Sequence, residues 1–181
     1  SAHVLEVHGR LFLIDCGEAV QRQMLRYKVP IAKLDTIFIS HIHGDHLFGL
    51  FTLLSTLGLI CKSTPVVIYG PSNLGPLLKS FMSYYGKGIG IDVDFHPLSV
   101  KAPEVIYSTK SLDVLAFPLN HRIETYGYMV REKVPQLNIR KEALEKYGFT
   151  KAEIGTLKSG GDIIRPAGPD EGATFLNGFV R

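Results

Sequence analysis

Cysteine is scarce in this chain: Cys16 and Cys61 stand far apart, and neither sits in a CxxC or other clustered pattern. That argues against a thiolate-held structural metal site and against a disulfide-stapled scaffold, so two reduced, buried thiols are expected. Long apolar runs are missing too. The greasiest stretch, 47–61, is broken by Thr52, Ser55, Thr56 and glycines, which leaves it short of the roughly 18 apolar residues a membrane span needs. No charged segment followed by an apolar one opens the chain, so no secretory leader is marked. A cytoplasmic protein without membrane contact is the expectation. Internal repeats and low-complexity tracts are absent as well.

What is present is ordinary globular composition, with 181 residues, 45% of them hydrophobic and 20% charged, enough for one soluble domain with a sizeable core. A net charge of +3 is compatible with a polyanionic partner, because Lys and Arg that neutralise phosphates release counterions. It is too mild to require one. Two short strands, 3–7 and 10–15, flank His8-Gly9 as a hairpin, and a helix is expected over 18–27, stopped at Val29-Pro30. A strand over 36–40 leads through a sharp turn into a helix over 47–59 that is apolar nearly all round and should be buried. A second strand-loop-helix unit follows, with strand 65–69 and helix 74–85. From Ile91 the pattern turns to a meander of strands, 91–95, 105–108, 112–119 and 126–131. Helices over 138–147 and 151–157 come next, and the last twenty residues, rich in Gly and Pro, read as loop.

The informative stretch is Ser40-His41-Ile42-His43-Gly44-Asp45-His46, placed directly after a strand and directly before a helix. Imidazole nitrogens and a carboxylate are the ligands of a catalytic metal with an open position, whereas a closed structural site favours clustered cysteine. Alternate side chains of an extended run share a face, so His41 and His43 are expected on one ion, with Asp45 and His46, beyond the Gly44 turn, on a second. Two such ions can share a hydroxide and clamp both oxygens of a phosphodiester displacement. His and Asp serve zinc, manganese and iron alike. A lone histidine at a strand end is usually structural, and His3, His8 and His96 are read that way. His121 differs in context, because it follows an apolar strand and precedes Tyr126-Gly127-Tyr128.

HxHxDH after a strand resembles the signature of the metallo-β-lactamase superfamily. Within it, Leu13-Ile14-Asp15-Cys16-Gly17-Glu18, the phrase from Phe38 to Leu50, and Asn120-His121-Arg122 followed by Tyr126-Gly127-Tyr128 resemble ribonuclease Z, the tRNA 3′ endonuclease. The resemblance implies an α+β fold, the four-layer αββα sandwich. It also implies a zinc-dependent endoribonuclease in which a metal-activated hydroxide cuts the 3′ trailer from precursor tRNA, leaving a 3′-hydroxyl on the tRNA and a 5′-phosphate on the trailer. Carried over position by position, His41, His43 and His121 would bind one Zn2+ and Asp45 and His46 the other. Asp45 would also be the catalytic general base, and Asp15 would support the site through hydrogen bonds. Family members are commonly homodimers in which one subunit presents tRNA to the other.

The family pattern also calls for a bridging aspartate, a last histidine ligand and a Glu-His pair, yet no histidine follows Arg122. A glycine-rich opening strand is missing as well. The expectation is therefore the first two-thirds or so of such an enzyme, one half of the sandwich complete and the other begun, with the second zinc weakly held. Residues 134–181 form a polar peripheral segment within a single domain over 1–181. There Lys133, Arg140, Lys141, Lys146, Lys151 and Lys158 either track an RNA backbone, as a reduced version of the family's tRNA-gripping arm, or make a solvated face balanced by Glu142, Glu145 and Glu153. Two other functions stay open. One keeps the fold for a small substrate such as a cyclic nucleotide, thioester or lactone, and the other is a catalytically silent binding module.

Overall fold

The computed structural model describes residues 1–60, 65–134, 138–165 and 174–175, arranged as two compact units, Ser1–Glu132 and Lys133–Arg181. In the first unit β1 (His3–Val7) and β2 (Arg10–Ile14) pair antiparallel, Val7 opposite Arg10. His8 and Gly9 between them both take positive φ, 50° and 75°, as a two-residue turn matched to the twist of a hairpin requires. Helix α1 (Val20–Arg26) buries Val20 and Met24, one turn apart on one face. Strand β3 (Leu34–Phe38) begins two residues earlier than the hydrophobic pattern alone indicates, and it runs parallel to β2.

Helix α2 (Gly44–Leu47) starts at once after the histidine turn and gives way to α3 (Gly49–Leu59). The sequence pattern put the helix start at Leu47, so Asp45 and His46 belong to a helical first turn rather than to the loop. Strand β4 (Val66–Pro71) and helix α4 (Leu74–Phe81), which continues as a wide turn over Met82–Gly86 into α5 (Lys87–Ile89), complete the second strand-loop-helix unit. Strand β5 (Val93–Leu98) then pairs parallel with β4 and closes a five-stranded sheet in the order β1-β2-β3-β4-β5. This corrects the expectation that the meander opens at Ile91. It opens at β6 (Glu104–Ser108), which forms an antiparallel three-stranded sheet with β7 (Leu112–Pro118) and β8 (Tyr126–Glu132). Strand periodicity marks which side chains share a face, and it carries no record of which neighbour the backbone will bond.

The two faces of the first sheet have separate cores. Leu11, Leu13, Ile37, Val66 and Ile68 point toward α1, α3 and α4, where Leu50, Leu53, Leu54 and Leu57 are fully buried. On the other face Phe12 and Phe38 meet Leu112 and Val114 of the second sheet. Phe38 is the hub of that contact, with ring centroids 5.3 Å from Tyr69 and 5.2 Å from Tyr128. The first unit is thus a helix layer, a sheet and a facing sheet.

The second unit contains α6 (Lys141–Tyr147) and α7 (Lys151–Lys158), the latter opened by a capping box in which Thr150 and Glu153 satisfy each other's backbone N–H groups. Residues 164–165 (β9, Ile164–Arg165) pair with 174–175 (β10, Thr174–Phe175), so the tail read as loop holds a short antiparallel ribbon. Cys16 is buried and reduced, while Cys61 lies outside the described residues. Among the described residues no helix is long and apolar enough to cross a membrane.

Candidate metal centre

The residues that follow β3 are held on three sides before any ion is considered. The Ile39 N–H donates to the Tyr69 carbonyl of β4 at 2.8 Å, and the Tyr126 N–H at the head of β8 donates to the Ser40 carbonyl at 3.0 Å. On the third side the Cys16 N–H donates to the His46 carbonyl at 2.7 Å and the Gly49 N–H donates to Cys16 at 2.9 Å. The Tyr128 hydroxyl adds a bond to the Ile39 carbonyl at 2.7 Å. Both sheets therefore grip the segment that bears the histidines. Gly49 is required for the closeness of this packing, since a Cβ there would lie 2.1 Å from the Gly17 carbonyl oxygen.

Within that frame His41, His43 and His121 converge, each offering one ring nitrogen, all within 4.8 Å of one another. His41 Nε2 and His43 Nδ1 are 3.1 Å apart, and the His121 ring stands 5.2 Å from both rings by centroid. Two nitrogens sharing a tetrahedral metal at about 2.0 to 2.1 Å would be about 3.3 Å apart, so the spacing fits an ion between them. His41 is buried, whereas His43 and His121 are exposed, which leaves one side open to solvent and substrate.

Asp15 organises the protons. This buried residue adopts a left-handed φ of 60°, which turns its carboxylate back toward the strand end. Asp15 Oδ1 accepts the Ser40 N–H and the Ser40 hydroxyl, both at 2.8 Å, and Oδ2 accepts from His46 Nδ1 at 2.7 Å. Because the Ser40 hydroxyl gives its proton to the carboxylate, its oxygen accepts from His41 Nδ1 at 2.9 Å. His41 and His46 then each carry the proton on Nδ1 and keep the Nε2 lone pair for a cation. Burial, followed by the neighbouring His46 and His43, holds the His41 imidazole below its usual pKa, so it stays neutral and able to ligate.

His46 Nε2 lies 3.4 Å from Asp45 Oδ2, and the Asp45 side chain is 75% exposed. These two groups sit side by side at the start of α2. A second ion there would have only this pair among the described residues, as no third His, Cys, Asp or Glu joins them in a ligand cluster.

A sequence profile of the family described as Anti-Pycsar protein Apyc1 matches residues 1–135. The chain belongs to this family. It is also 36% identical over 168 residues to a ribonuclease Z of Bacteroides thetaiotaomicron, a match spanning 93% of this chain and 53% of that protein. Human tRNase Z, short form, superposes with a TM-score of 0.66 at 33% identity, covering 74% of this chain and 57% of that one. The metallo-β-lactamase fold protein YhfI of Bacillus subtilis, at 20% identity and a TM-score of 0.57 over 72% of this chain and 50% of that one, shares the fold. The chain thus has the metallo-β-lactamase fold, and it spans about half the length of the curated relatives it matches.

His8 comes within 3.7 Å of Glu132, and His96 stacks on Tyr69 while meeting Asp94 at 3.0 Å. Arg140, Lys141, Lys146, Lys151 and Lys158 are exposed and Lys133 is half-buried, with Lys146 Nζ 5.2 Å above the Tyr147 ring. Ser40, which carries no role in a reading of sequence alone, is the relay between Asp15 and His41. Its one signal is a hydroxyl residue directly before the first ligand.

Proposed function

We propose that the protein is a metal-dependent endoribonuclease of the ribonuclease Z type, with His41, His43 and His121 holding one Zn2+ and Asp45 and His46 contributing to a second. The observation that carries this is the convergence of three histidine nitrogens, the free lone pair of one of them, His41, being set by Asp15 through Ser40. Similarity to ribonuclease Z over 93% of the chain supports precursor tRNA as the substrate class. A divalent metal in such a site supplies Lewis acidity to the phosphoryl oxygens and lowers the pKa of water toward neutrality.

The side chains do the rest. Asp15 orients His46 directly and His41 through Ser40, and the exposed Asp45 carboxylate accepts the proton of the attacking water. Water adds to phosphorus, the bond to the 3′ oxygen breaks as that oxygen takes a proton from solvent, and a 3′-hydroxyl tRNA and a 5′-phosphate trailer leave. The exposed cations Arg140, Lys141, Lys146, Lys151 and Lys158, with Lys133, track the phosphate backbone of the RNA. We read 134–181 as a peripheral segment of a single metallo-β-lactamase-like domain over 1–181. The protein works in the cytoplasm as a homodimer.

Labelled precursor tRNA incubated with the whole protein and Zn2+ tests this. Cleavage at the 3′ end, lost in His43→Ala and Asp45→Ala with folding retained, is expected. No cleavage by wild-type protein overturns the assignment. A second reading keeps the centre and changes the substrate to a small phosphodiester such as a cyclic nucleotide. Its ground is that the family profile over residues 1–135 is that of Anti-Pycsar protein Apyc1, which does not itself specify tRNA. Salt separates the two, because affinity for tRNA falls steeply with ionic strength and affinity for a small substrate does so far less.

A further inference from the structure

We infer that Glu124 is a positioning residue: it clamps the loop bearing His121 to the first sheet and so sets the affinity of the three-histidine centre for its metal. This rests on the metal-centre reading above.

His121 is the one member of the trio that comes from the second sheet. It lies on the loop 119–125 between β7 and β8, exposed and on one wall of a cleft of about 400 Å³ that Arg122, Glu124 and Tyr126 also line. Two short-range bonds lie within the loop, Leu119 N–H to the Thr125 carbonyl and the Thr125 hydroxyl to the Ile123 carbonyl, both at 2.9 Å. They close the loop upon itself without directing it at His41. A ligand on a loop so held must surrender its freedom when a metal binds, and that entropy subtracts from affinity.

Glu124 supplies the missing restraint, because its two oxygens reach different parts of the molecule. Oε2 accepts from the Ser72 hydroxyl at 2.9 Å, just past the end of β4 in the first sheet. Oε1 accepts from the Tyr126 hydroxyl at 2.8 Å. That phenol has one proton, and the shorter, charge-assisted bond to Glu124 takes it in preference to the Leu98 carbonyl at 3.2 Å. The Tyr126 N–H in turn donates to the Ser40 carbonyl, the residue before His41. Glu124 therefore ties the His121 loop to the first sheet directly through Ser72 and, through Tyr126, to the strand end from which His41 and His43 project. It is not among the grouped ligands, so it acts through His121 and not on the ion.

The test is Zn2+ affinity of the whole protein, measured by competition with a chromophoric chelator, together with the visible spectrum of the Co2+ form. Glu124→Ala is expected to weaken Zn2+ by about tenfold to a hundredfold, the usual effect of losing a group that orients a ligand, and to shift the Co2+ bands. Glu124→Gln should recover most of the affinity, since its Oε1 still accepts from Tyr126 and its Nε2 can donate to Ser72. Ser72→Ala removes one bond without touching the loop, so a loss of about threefold to tenfold is expected. Wild-type affinity in Glu124→Ala, alongside a clear loss in His121→Ala, overturns the inference and leaves the centre intact. Should Glu124→Ala fail to fold, unchanged affinity in Ser72→Ala overturns it instead. Wild-type affinity in His121→Ala shows that the metal-centre reading itself is wrong.

Discussion

Replacing Asp15 by Asn exchanges one oxygen for an NH2 group and leaves the shape of the side chain unchanged, which makes the proton relay testable in isolation. Asn tolerates the left-handed φ of 60° as well as Asp does, so the backbone is not strained. The Oδ1 position already receives two donors from Ser40, so the new amide places its NH2 where Oδ2 stood, 2.7 Å from His46 Nδ1. Two donors cannot share that contact. His46 must move its proton to Nε2, which then donates to the Asp45 carboxylate 3.4 Å away and loses the lone pair needed for a cation. Restoring the ligating tautomer breaks a bond worth about 1 to 3 kcal/mol, so affinity at His46 should fall by about tenfold to a hundredfold. Folding stability should change little. Asp15→Ala, by contrast, strips three donors of their acceptor at a buried point and places at positive φ a residue that tolerates it less well than Asp, costing roughly 3 to 5 kcal/mol. Nitrogen-15 NMR of the metal-free protein reads the His46 tautomer, chelator competition the affinity and urea unfolding the stability. A His46 that keeps its Nδ1 proton in Asp15→Asn, or that binds metal as before, refutes the relay.

Other consequences follow from packing and burial. Phe38→Ala empties the hub between the sheets, where the ring is fully buried against Tyr69 and Tyr128, and should cost about 3 to 5 kcal/mol in urea unfolding. Gly49→Ala drives a methyl to within 2.1 Å of the Gly17 carbonyl oxygen, so a loss of about 1 to 3 kcal/mol or more is expected in thermal melts, with weaker metal binding because Cys16 and His46 shift together. Burial, then the Asp15 charge, pushes the Cys16 thiol from 9.0 up to about 12. Iodoacetamide at pH 8 should therefore spare it in the folded protein and label it in urea, as followed by mass spectrometry. The sign for stability follows from the same shift. The folded state holds this proton more tightly, so the contribution is complete below pH 9 and is lost as pH rises from 9 to 12.

The sequence by itself determined the ingredients of the centre. Ser40 to His46 between an apolar strand and an apolar helix announces metal ligands, and the spacing separates His41 and His43 from Asp45 and His46. Apolar runs likewise mark β2, β3, β4, α3 and β7 as buried elements. These are local properties, written in residues a few positions apart.

Only the tertiary structure decided how the ingredients meet. That β5 joins the first sheet, and that the second sheet delivers His121 to His41, depends on backbone pairing between strands distant in the chain. No periodicity records such a choice. The tautomers of His41 and His46 depend on a carboxylate 31 residues from the latter, held by a positive φ that no local pattern demands. Glu124 is one more acidic residue in a loop until Ser72 and Tyr126 are beside it. A hydrogen bond has an angular and distance requirement of its own, and that requirement is met or missed in three dimensions, by residues whose order along the chain carries no trace of it.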